Sequence, residues 1–180
     1  MKAIEAIFLD RDGTIGGDDT VHYPGSFKLF PFTVDMIQKL KNDGIKVFSF
    51  TNQPGIANKE ASEESFYEEL KGFGFNDVFL CPHKPEDRCP CRKPEAGMLL
   101  KCADMYSLKL DQCVVIGDRW SDMAAASKTE SIKILVKTGA GNNTLLEHSN
   151  KVGDVDFIAE DLKEAIEWLY RKYRLEQVLR

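Results

Sequence analysis

Four times in this chain a short apolar run breaks off at polar residues and a glycine-containing turn. Ala6-Ile7-Phe8-Leu9 stops at Asp10-Arg11-Asp12-Gly13-Thr14. Ile45 to Phe50 stops at Thr51-Asn52-Gln53-Pro54-Gly55. Gln112 to Ile116 stops at Gly117-Asp118, and Ile132 to Val136 stops at Lys137-Thr138-Gly139. Short apolar runs bounded by turns are the pattern of strands buried on both faces of a parallel sheet. Asp77 to Leu80 and Phe157-Ile158 read as two further, shorter strands. Parallel strands need crossovers, and helical periodicity supplies them. Phe32 to Asp43 carries Val34, Ile37, Leu40 and Lys41 at helical spacing, with Gly44 as a stop. Ala61 to Phe73 places Phe66, Leu70 and Phe73 on one face of an acidic helix. Glu95 to Tyr106 is expected to turn Leu99, Leu100 and Ala103 inward, and Met123 to Ser127 continues as a helix. From Asp161 onward, Leu162, Ala165, Ile166, Leu169 and Tyr173 recur at helical intervals. Strands alternating with helices predict an α/β fold, a Rossmann-like doubly wound parallel sheet.

The size and composition fit that expectation. A chain of 180 residues is expected to form one domain spanning 1–180, with enough length for a substantial core. Its 43% hydrophobic and 29% charged residues are ordinary for a globular protein. A net charge of −5 gives no basic surface for nucleic acid or an anionic membrane. No apolar run is long enough to cross a bilayer, and Met1-Lys2-Ala3-Ile4-Glu5 lacks a signal-peptide core. The expected compartment is the cytoplasm, and the expected state a monomer. Five cysteines without a secretion signal argue against a disulfide framework.

Ligands of open α/β sheets bind beyond the carboxyl ends of the strands. Asp10 and Asp12 stand at such an end. On an extended backbone their side chains alternate with Arg11, so both can face one site. Thr51 stands at a second strand end, with Asn52 and Gln53 after it. Asp118 and Asp122 follow a third. Lys93 precedes a helix. Carboxylates together with an ammonium group suit Mg²⁺ and a phosphoryl group, because Mg²⁺ takes one or two carboxylates and completes its shell with water and phosphate. The loop at 16–25, rich in glycine and aspartate, follows the acidic pair directly and is expected to border the substrate.

Three cysteines crowd into positions 81–91. Cys81-Pro82-His83 and Cys89-Pro90-Cys91 offer three sulfurs and one imidazole. The intervening Lys84-Pro85-Glu86-Asp87-Arg88 has almost no apolar side chain to fold around. A Cys₃His set with four protein ligands is a closed, structural zinc site. The expectation is a zinc loop over 81–93, inserted in the domain, with ligands Cys81, His83, Cys89 and Cys91.

Taken together, Asp10-Arg11-Asp12-Gly13-Thr14, Thr51-Asn52-Gln53, Lys93 and Gly117-Asp118-Arg119-Trp120-Ser121-Asp122 resemble the four motifs of the haloacid dehalogenase (HAD) superfamily of phosphatases. The Cys-Pro-His…Cys-x-Cys-Arg-Lys-Pro run is similar to that of the branch holding heptose bisphosphate and histidinol-phosphate phosphatases. The resemblance spans about residues 4–170. It implies a Mg²⁺-dependent hydrolysis of a phosphate monoester of a small metabolite, such as a sugar bisphosphate, through an aspartyl-phosphate. By resemblance Asp10 is the nucleophile and Asp12 the general acid and base. Thr51 and Lys93 hold the transferring phosphoryl group. Asp10, the Asp12 backbone and Asp118 hold Mg²⁺, and Asp122 orients that shell. Asp18, Asp19, Thr20, Val21, Asn52, Gln53, Arg92 and Arg119 match substrate-contacting positions. No interval between motifs can hold a full cap domain, so the site is expected to be open.

Two other readings stand beside this one. A polynucleotide 3′-phosphatase has close motifs, but the acidic balance weighs against it, since nucleic-acid affinity rests on Lys and Arg. A non-catalytic binding protein on the same fold would be expected to have lost the nucleophile, and Asp10 is present.

Overall fold

The computed structural model describes residues 3–173 and 175. Six strands form a single sheet: β1 (Ala6–Leu9), β2 (Lys46–Asn52), β3 (Asp77–Cys81), β4 (Cys113–Gly117), β5 (Ile132–Val136) and β6 (Phe157–Ala159). Their order across the sheet is β3-β2-β1-β4-β5-β6, and every pairing is parallel. The expected doubly wound α/β sheet is therefore observed.

The alternation within each strand divides the core in two. Ile7 and Leu9 of β1 face one side with Val47, Val114, Ile116, Ile134 and Val136. Ala6 and Phe8 face the other, with Phe48, Phe50, Val115 and Leu135. The first side is covered by α1 (Thr33–Asn42), α2 (Glu63–Gly72) and α7 (Leu162–Tyr173), through Ile37, Leu40, Leu70, Ile166 and Leu169. The second is covered by α3 (Gly97–Tyr106) and α4 (Trp120–Ser127), through Met98, Leu99, Cys102, Met123, Ala125 and Ala126. Phe8 sits at the middle of that layer, with ring centroids 5.5 Å from Phe48 and 6.2 Å from Phe50. All four β1 residues are fully buried, so this strand is held by packing on both faces.

Element limits shift by up to three residues from the sequence reading, the largest shift being α4, which starts at Trp120 rather than Met123. β2 runs on to Asn52 because Thr51 and Asn52 pair with Leu80 and Cys81 of β3. Gln112 belongs to a 3₁₀ turn, Leu110–Gln112, ahead of β4. One side-chain expectation is corrected. Leu100 is 57% exposed, and α3 buries Met98, Leu99 and Cys102 instead. Leu99 and Cys102 are three residues apart, so the buried stripe runs along their ridge and Leu100 lies off it. Two helices, α5 (Gly141–Glu147) and α6 (Ser149–Val152), lie where the sequence shows no apolar stripe. They carry few buried side chains, among them Thr144 and Val152. No helix among the described residues is long and apolar enough to cross a membrane.

With β1 and β4 adjacent, the strand order reverses between them. This switch point opens a crevice at their carboxyl ends. The ends of β1, β2 and β4 carry Asp10, Thr51 and Asp118 to that crevice. The segment between β3 and α3 arches over its rim.

Candidate active site

Asp10 is only 4% exposed, at the floor of a cleft of about 1050 Å³. Its backbone N–H donates to Ile116 O at 3.0 Å, so sheet pairing extends one residue past β1 and fixes where the carboxylate begins. Lys93 Nζ donates to Asp10 Oδ1 at 2.8 Å and to Phe50 O at 2.9 Å, and it lies 2.7 Å from Asp122 Oδ1. The ammonium thus makes two hydrogen bonds and pairs with a second buried carboxylate. Burial by itself would push the Lys93 pKa down, but Asp10 and Asp122 outweigh it and hold it above the usual value. The Lys93 backbone is fixed as well. Asn52 Nδ2 donates to Lys93 O, and Lys93 N donates to Asn52 Oδ1, both at 3.1 Å. Asn52 thus lines the cleft and clamps Lys93 to the end of β2.

Asp12 faces the same cleft with its two oxygens separately held. Arg11 donates to Oδ1 at 2.7 Å, and Gln53 Nε2 donates to Oδ2 at 2.7 Å. Gln53 also donates to Thr51 Oγ1 at 2.9 Å, so its amide links Asp12 with Thr51. Burial raises the Asp12 pKa, helped by Asp10 and opposed by Arg11. A carboxyl whose pKa is raised in this way holds its proton more readily and is better suited to donating one.

Asp118 is fully buried beside them. Ala140 N–H donates to its Oδ2 at 2.7 Å, and Thr14 Oγ1 stands at the long limit of 3.5 Å from Oδ1. Asp122 is positioned by the Arg119 backbone N–H, which donates to its Oδ2 at 2.9 Å. One ligand atom each from Asp10, Asp118 and Asp122 lie within 4.8 Å of one another. Burial, then repulsion from Asp10, raises the pKa of both Asp118 and Asp122, the latter to about 6. Three buried carboxylates against one ammonium leave uncompensated negative charge, which is costly unless a cation joins them. The donor set is all oxygen, as hard divalent cations require.

The second cluster is built of sulfur. Cys81, Cys89 and Cys91 lie with sulfurs 3.3 to 3.4 Å apart, and His83 Nδ1 stands 3.3 Å from Cys91 Sγ and 3.5 Å from Cys81 Sγ. None of the three forms a disulfide. Corners of a tetrahedron with such edges lie about 2.1 Å from its centre, near the zinc–ligand range. The Cys₃His donor set and its spacing therefore fit zinc. The cluster anchors the cleft rim, because Arg88, Cys89, Pro90, Arg92 and Lys93 all line the cleft.

The other expected substrate residues divide. Asp19, Thr20, Val21, Gln53, Arg92 and Arg119 line the cleft. Arg119 reaches the 16–25 loop through Asp19 O at 3.2 Å, and Arg92 reaches His83 O at 3.2 Å. Asp18 is not among the lining residues. Its exposed carboxylate accepts from Thr20 N and Oγ1 and pairs with His22 Nε2 at 3.0 Å. Those bonds hold its pKa down at about 2. It shapes the loop, while its neighbours face the cleft.

Several participants escape sequence reasoning. Arg88 lines the cleft from what reads as a bare linker. Tyr23, in the loop expected to border the substrate, lines the cleft as well, and nothing in the sequence signals that its hydroxyl hydrogen-bonds Glu60 across the opening. Thr144 Oγ1 donates to Asp118 O at 2.9 Å from a helix without a recognisable pattern. Glu69 holds Arg11 from a helix that reads as simple cover. No local spacing marks these residues, since each acts across the fold.

The comparisons agree with this geometry. The HAD-hydrolase-like family model matches residues 90–165. The D-glycero-beta-D-manno-heptose-1,7-bisphosphate 7-phosphatase of Salmonella typhi is 34% identical over 157 residues, covering 77% of this chain and 83% of that protein. The chain belongs to the HAD-like phosphatases. A probable D-glycero-D-manno-heptose-1,7-bisphosphate 7-phosphatase from Thermoplasma volcanium is 36% identical over 126 residues, 64% of this chain and 86% of its own. Among solved structures, D,D-heptose 1,7-bisphosphate phosphatase from B. bronchiseptica, complexed with magnesium and phosphate, superposes with a TM-score of 0.81. It is 30% identical, with 93% of this chain and 99% of that one covered. This HAD phosphatase is thus a phosphoric monoester hydrolase.

Proposed function

We propose that this HAD phosphatase removes one phosphoryl group from a sugar bisphosphate, D-glycero-D-manno-heptose 1,7-bisphosphate, with Mg²⁺ at the carboxylate cluster and a structural zinc in the loop. The observation that carries the reading is Asp10, a buried carboxylate aimed into the cleft and held 2.8 Å from Lys93 Nζ. An Asp10 oxygen attacks phosphorus, and the bond from phosphorus to the sugar oxygen breaks. Asp12 gives its proton to that departing oxygen. A water then attacks the aspartyl-phosphate, Asp12 takes up the water's proton, and Asp10 is released with inorganic phosphate. Lys93 and Thr51 hold the oxygens on which charge gathers. Asp10, Asp118 and the Asp12 backbone carbonyl would hold Mg²⁺, and Asp122 acts on that shell through Lys93. Bound Mg²⁺ neutralises charge on the phosphoryl group and the nucleophile.

The substrate class rests on the cleft and on the relatives' names. A cleft of about 1050 Å³ is much larger than one phosphoryl group, and Arg88, Arg92 and Arg119 border it. Guanidinium groups suit a second phosphate and flanking hydroxyls. Zinc binding needs reduced thiols, which fits the cytoplasm.

Phosphate release from the heptose bisphosphate, histidinol phosphate, other sugar phosphates and a 3′-phosphorylated oligonucleotide tests the reading. The expected result is Mg²⁺-dependent release that favours the heptose bisphosphate, stops at the monophosphate, and vanishes in Asp10→Asn. Preference for either of the non-sugar substrates overturns the substrate class. Wild-type turnover in Asp10→Asn overturns the mechanism.

A further inference from the structure

Arg11 is among the largest fully buried side chains of the protein, and the reaction scheme gives it nothing to do. Its guanidinium carbon lies 3.8 Å from the ring centroid of Phe27 and 4.9 Å from that of Phe66. It donates from Nη1 to Asp12 Oδ1 at 2.7 Å and to His22 O at 2.8 Å. From Nη2 it donates to Glu69 Oε1 at 2.7 Å. The second oxygen of Glu69 accepts from Gly25 N at 2.9 Å. One guanidinium and one carboxylate therefore fasten three things together: the Asp12 carboxylate, the 16–25 loop at two points, and α2.

That loop carries Asp19, Thr20, Val21 and Tyr23 into the cleft. Residues 18–21 of it are exposed. A substrate that presses on this loop moves His22 O and Gly25 N, which are bonded to the same ion pair that orients Asp12. A flexible lysine in place of Arg11 lacks the planar fork that holds these three acceptors beside the Phe27 and Phe66 rings. We infer that the Arg11–Glu69 pair is a positioning unit that couples seating of the substrate loop to the orientation of Asp12. The inference rests on Asp12 being the proton donor in the reading above. The chemistry recognised is that of a substrate with a poor leaving group and a polar body that engages the loop.

The test is kinetic and uses the full chain with Mg²⁺. Glu69→Gln keeps an acceptor for Gly25 but loses the charge that holds Arg11. The parent and Glu69→Gln are compared on the heptose bisphosphate, a small alkyl phosphate and p-nitrophenyl phosphate, in the wild-type and Asp12→Asn backgrounds. Alkoxide departure needs the proton of Asp12, whereas nitrophenolate departs without it. Glu69→Gln is expected to lower kcat for both alkyl substrates about tenfold, since small misplacements of a reacting group cost this much or more. It should raise KM only for the bisphosphate and leave kcat for p-nitrophenyl phosphate within about twofold. In the Asp12→Asn background the same substitution should cause no further loss of kcat, because it acts through Asp12. Arg11→Lys should reproduce Glu69→Gln, and hydrogen exchange across 16–25 should quicken in both. Equal losses for both leaving groups, or a further loss on top of Asp12→Asn, overturn the inference and leave a merely structural pair. Should Glu69→Gln fail to fold, Arg11→Lys carries the same comparison. A parent that releases no phosphate from any substrate overturns the reading of the site itself, an outcome distinct from an active parent indifferent to Glu69.

Discussion

Gly139 and Gly13 pack backbone against backbone beside Asp118. A Cβ on Gly139 would stand 2.3 Å from Gly13 Cα and 2.4 Å from Asp118 Oδ2. Both glycines have positive φ, +57° and +81°. The turn after β1 and the turn after β5 thus meet with no side chain between them. The Asp118 carboxylate occupies the slot that remains, where the Ala140 N–H can reach it.

This contact predicts the effect of Gly139→Ala. Left-handed backbone costs a residue with a Cβ about 1–2 kcal/mol, before any clash is counted. For a chain of this size each kcal/mol lowers the melting temperature by about 2–4 °C. The clash also displaces Asp118, so the Mg²⁺ concentration for half-maximal phosphate release should rise well beyond what the melting shift explains. Calorimetry and a Mg²⁺ titration check this. An unchanged Mg²⁺ requirement would sink the claim that these glycines position Asp118.

Lys93 and Asp122 give a pH-dependent stability with a definite sign. Burial and Asp10 raise the Asp122 pKa from 3.8 to about 6. The folded state therefore binds more protons than the unfolded state between those values, and stability falls as pH rises through them. The contribution is fully present below about 4 and lost above about 6. Asp122→Asn removes this titration. Without added Mg²⁺, the melting temperature of the variant relative to its parent should climb as pH goes from about 4 to about 6, then level off. A parallel pair of melting curves over that range would show that Asp122 is not held protonated.

Much of this site could be read from the chain because its parts end strands. Asp10, Thr51 and Asp118 each close a local apolar run, so position in the sequence fixes position at a strand end: Asp10 and Thr51 line the cleft, and Asp118 lies buried with a carboxylate oxygen within 4.8 Å of one of Asp10's. Cys81, His83, Cys89 and Cys91 are legible for a different reason: metal-ligand spacing is itself local. Glu69 and Thr144 are not legible. Each touches its partner across 58 and 26 residues respectively, and nothing in their own helices marks the contact. Arg11 was hidden by alternation: it points away from the cleft, yet its guanidinium turns back onto Asp12. Leu100 shows the limit of apolar spacing, since a helix with hydrophobic residues on several sides does not say which stripe is buried.

Zinc loss should act on the active site through the chain. Cys89→Ser breaks a four-ligand site, and metal binding is coupled to local folding. Residues 81–93 have no apolar core of their own, so Arg92 and Lys93 lose their positions together. The expected outcome is about one zinc per chain in the parent, little in the variant, and a joint fall in melting temperature and turnover. Elemental analysis alongside calorimetry and phosphate release decides it. A zinc-free variant with full activity and unchanged melting would refute the site.

Substituting Arg92 tests whether holding the phosphoryl group can be separated from recognising the rest of the substrate. It lines the cleft next to Lys93, yet among the described contacts its guanidinium donates to His83 O at 3.2 Å, not to Asp10 or Asp12. Its Nη1 therefore also braces the 81–93 loop, and truncation tests which role governs. If Arg92 grips a second phosphate, Arg92→Ala should raise KM for the heptose bisphosphate roughly tenfold or more, the scale of a charge-assisted contact. The value of kcat should hold, because that grip is the same in ground and transition states. A small aryl phosphate never reaches Arg92, so its KM should not move. Arg92→Lys should recover part of the loss, since it restores charge without the planar fork. If Arg92 only braces the loop, both substrates lose activity in parallel and zinc content falls with them. Measuring KM for both substrates beside zinc content on the same preparations therefore decides between a recognition contact and a strut.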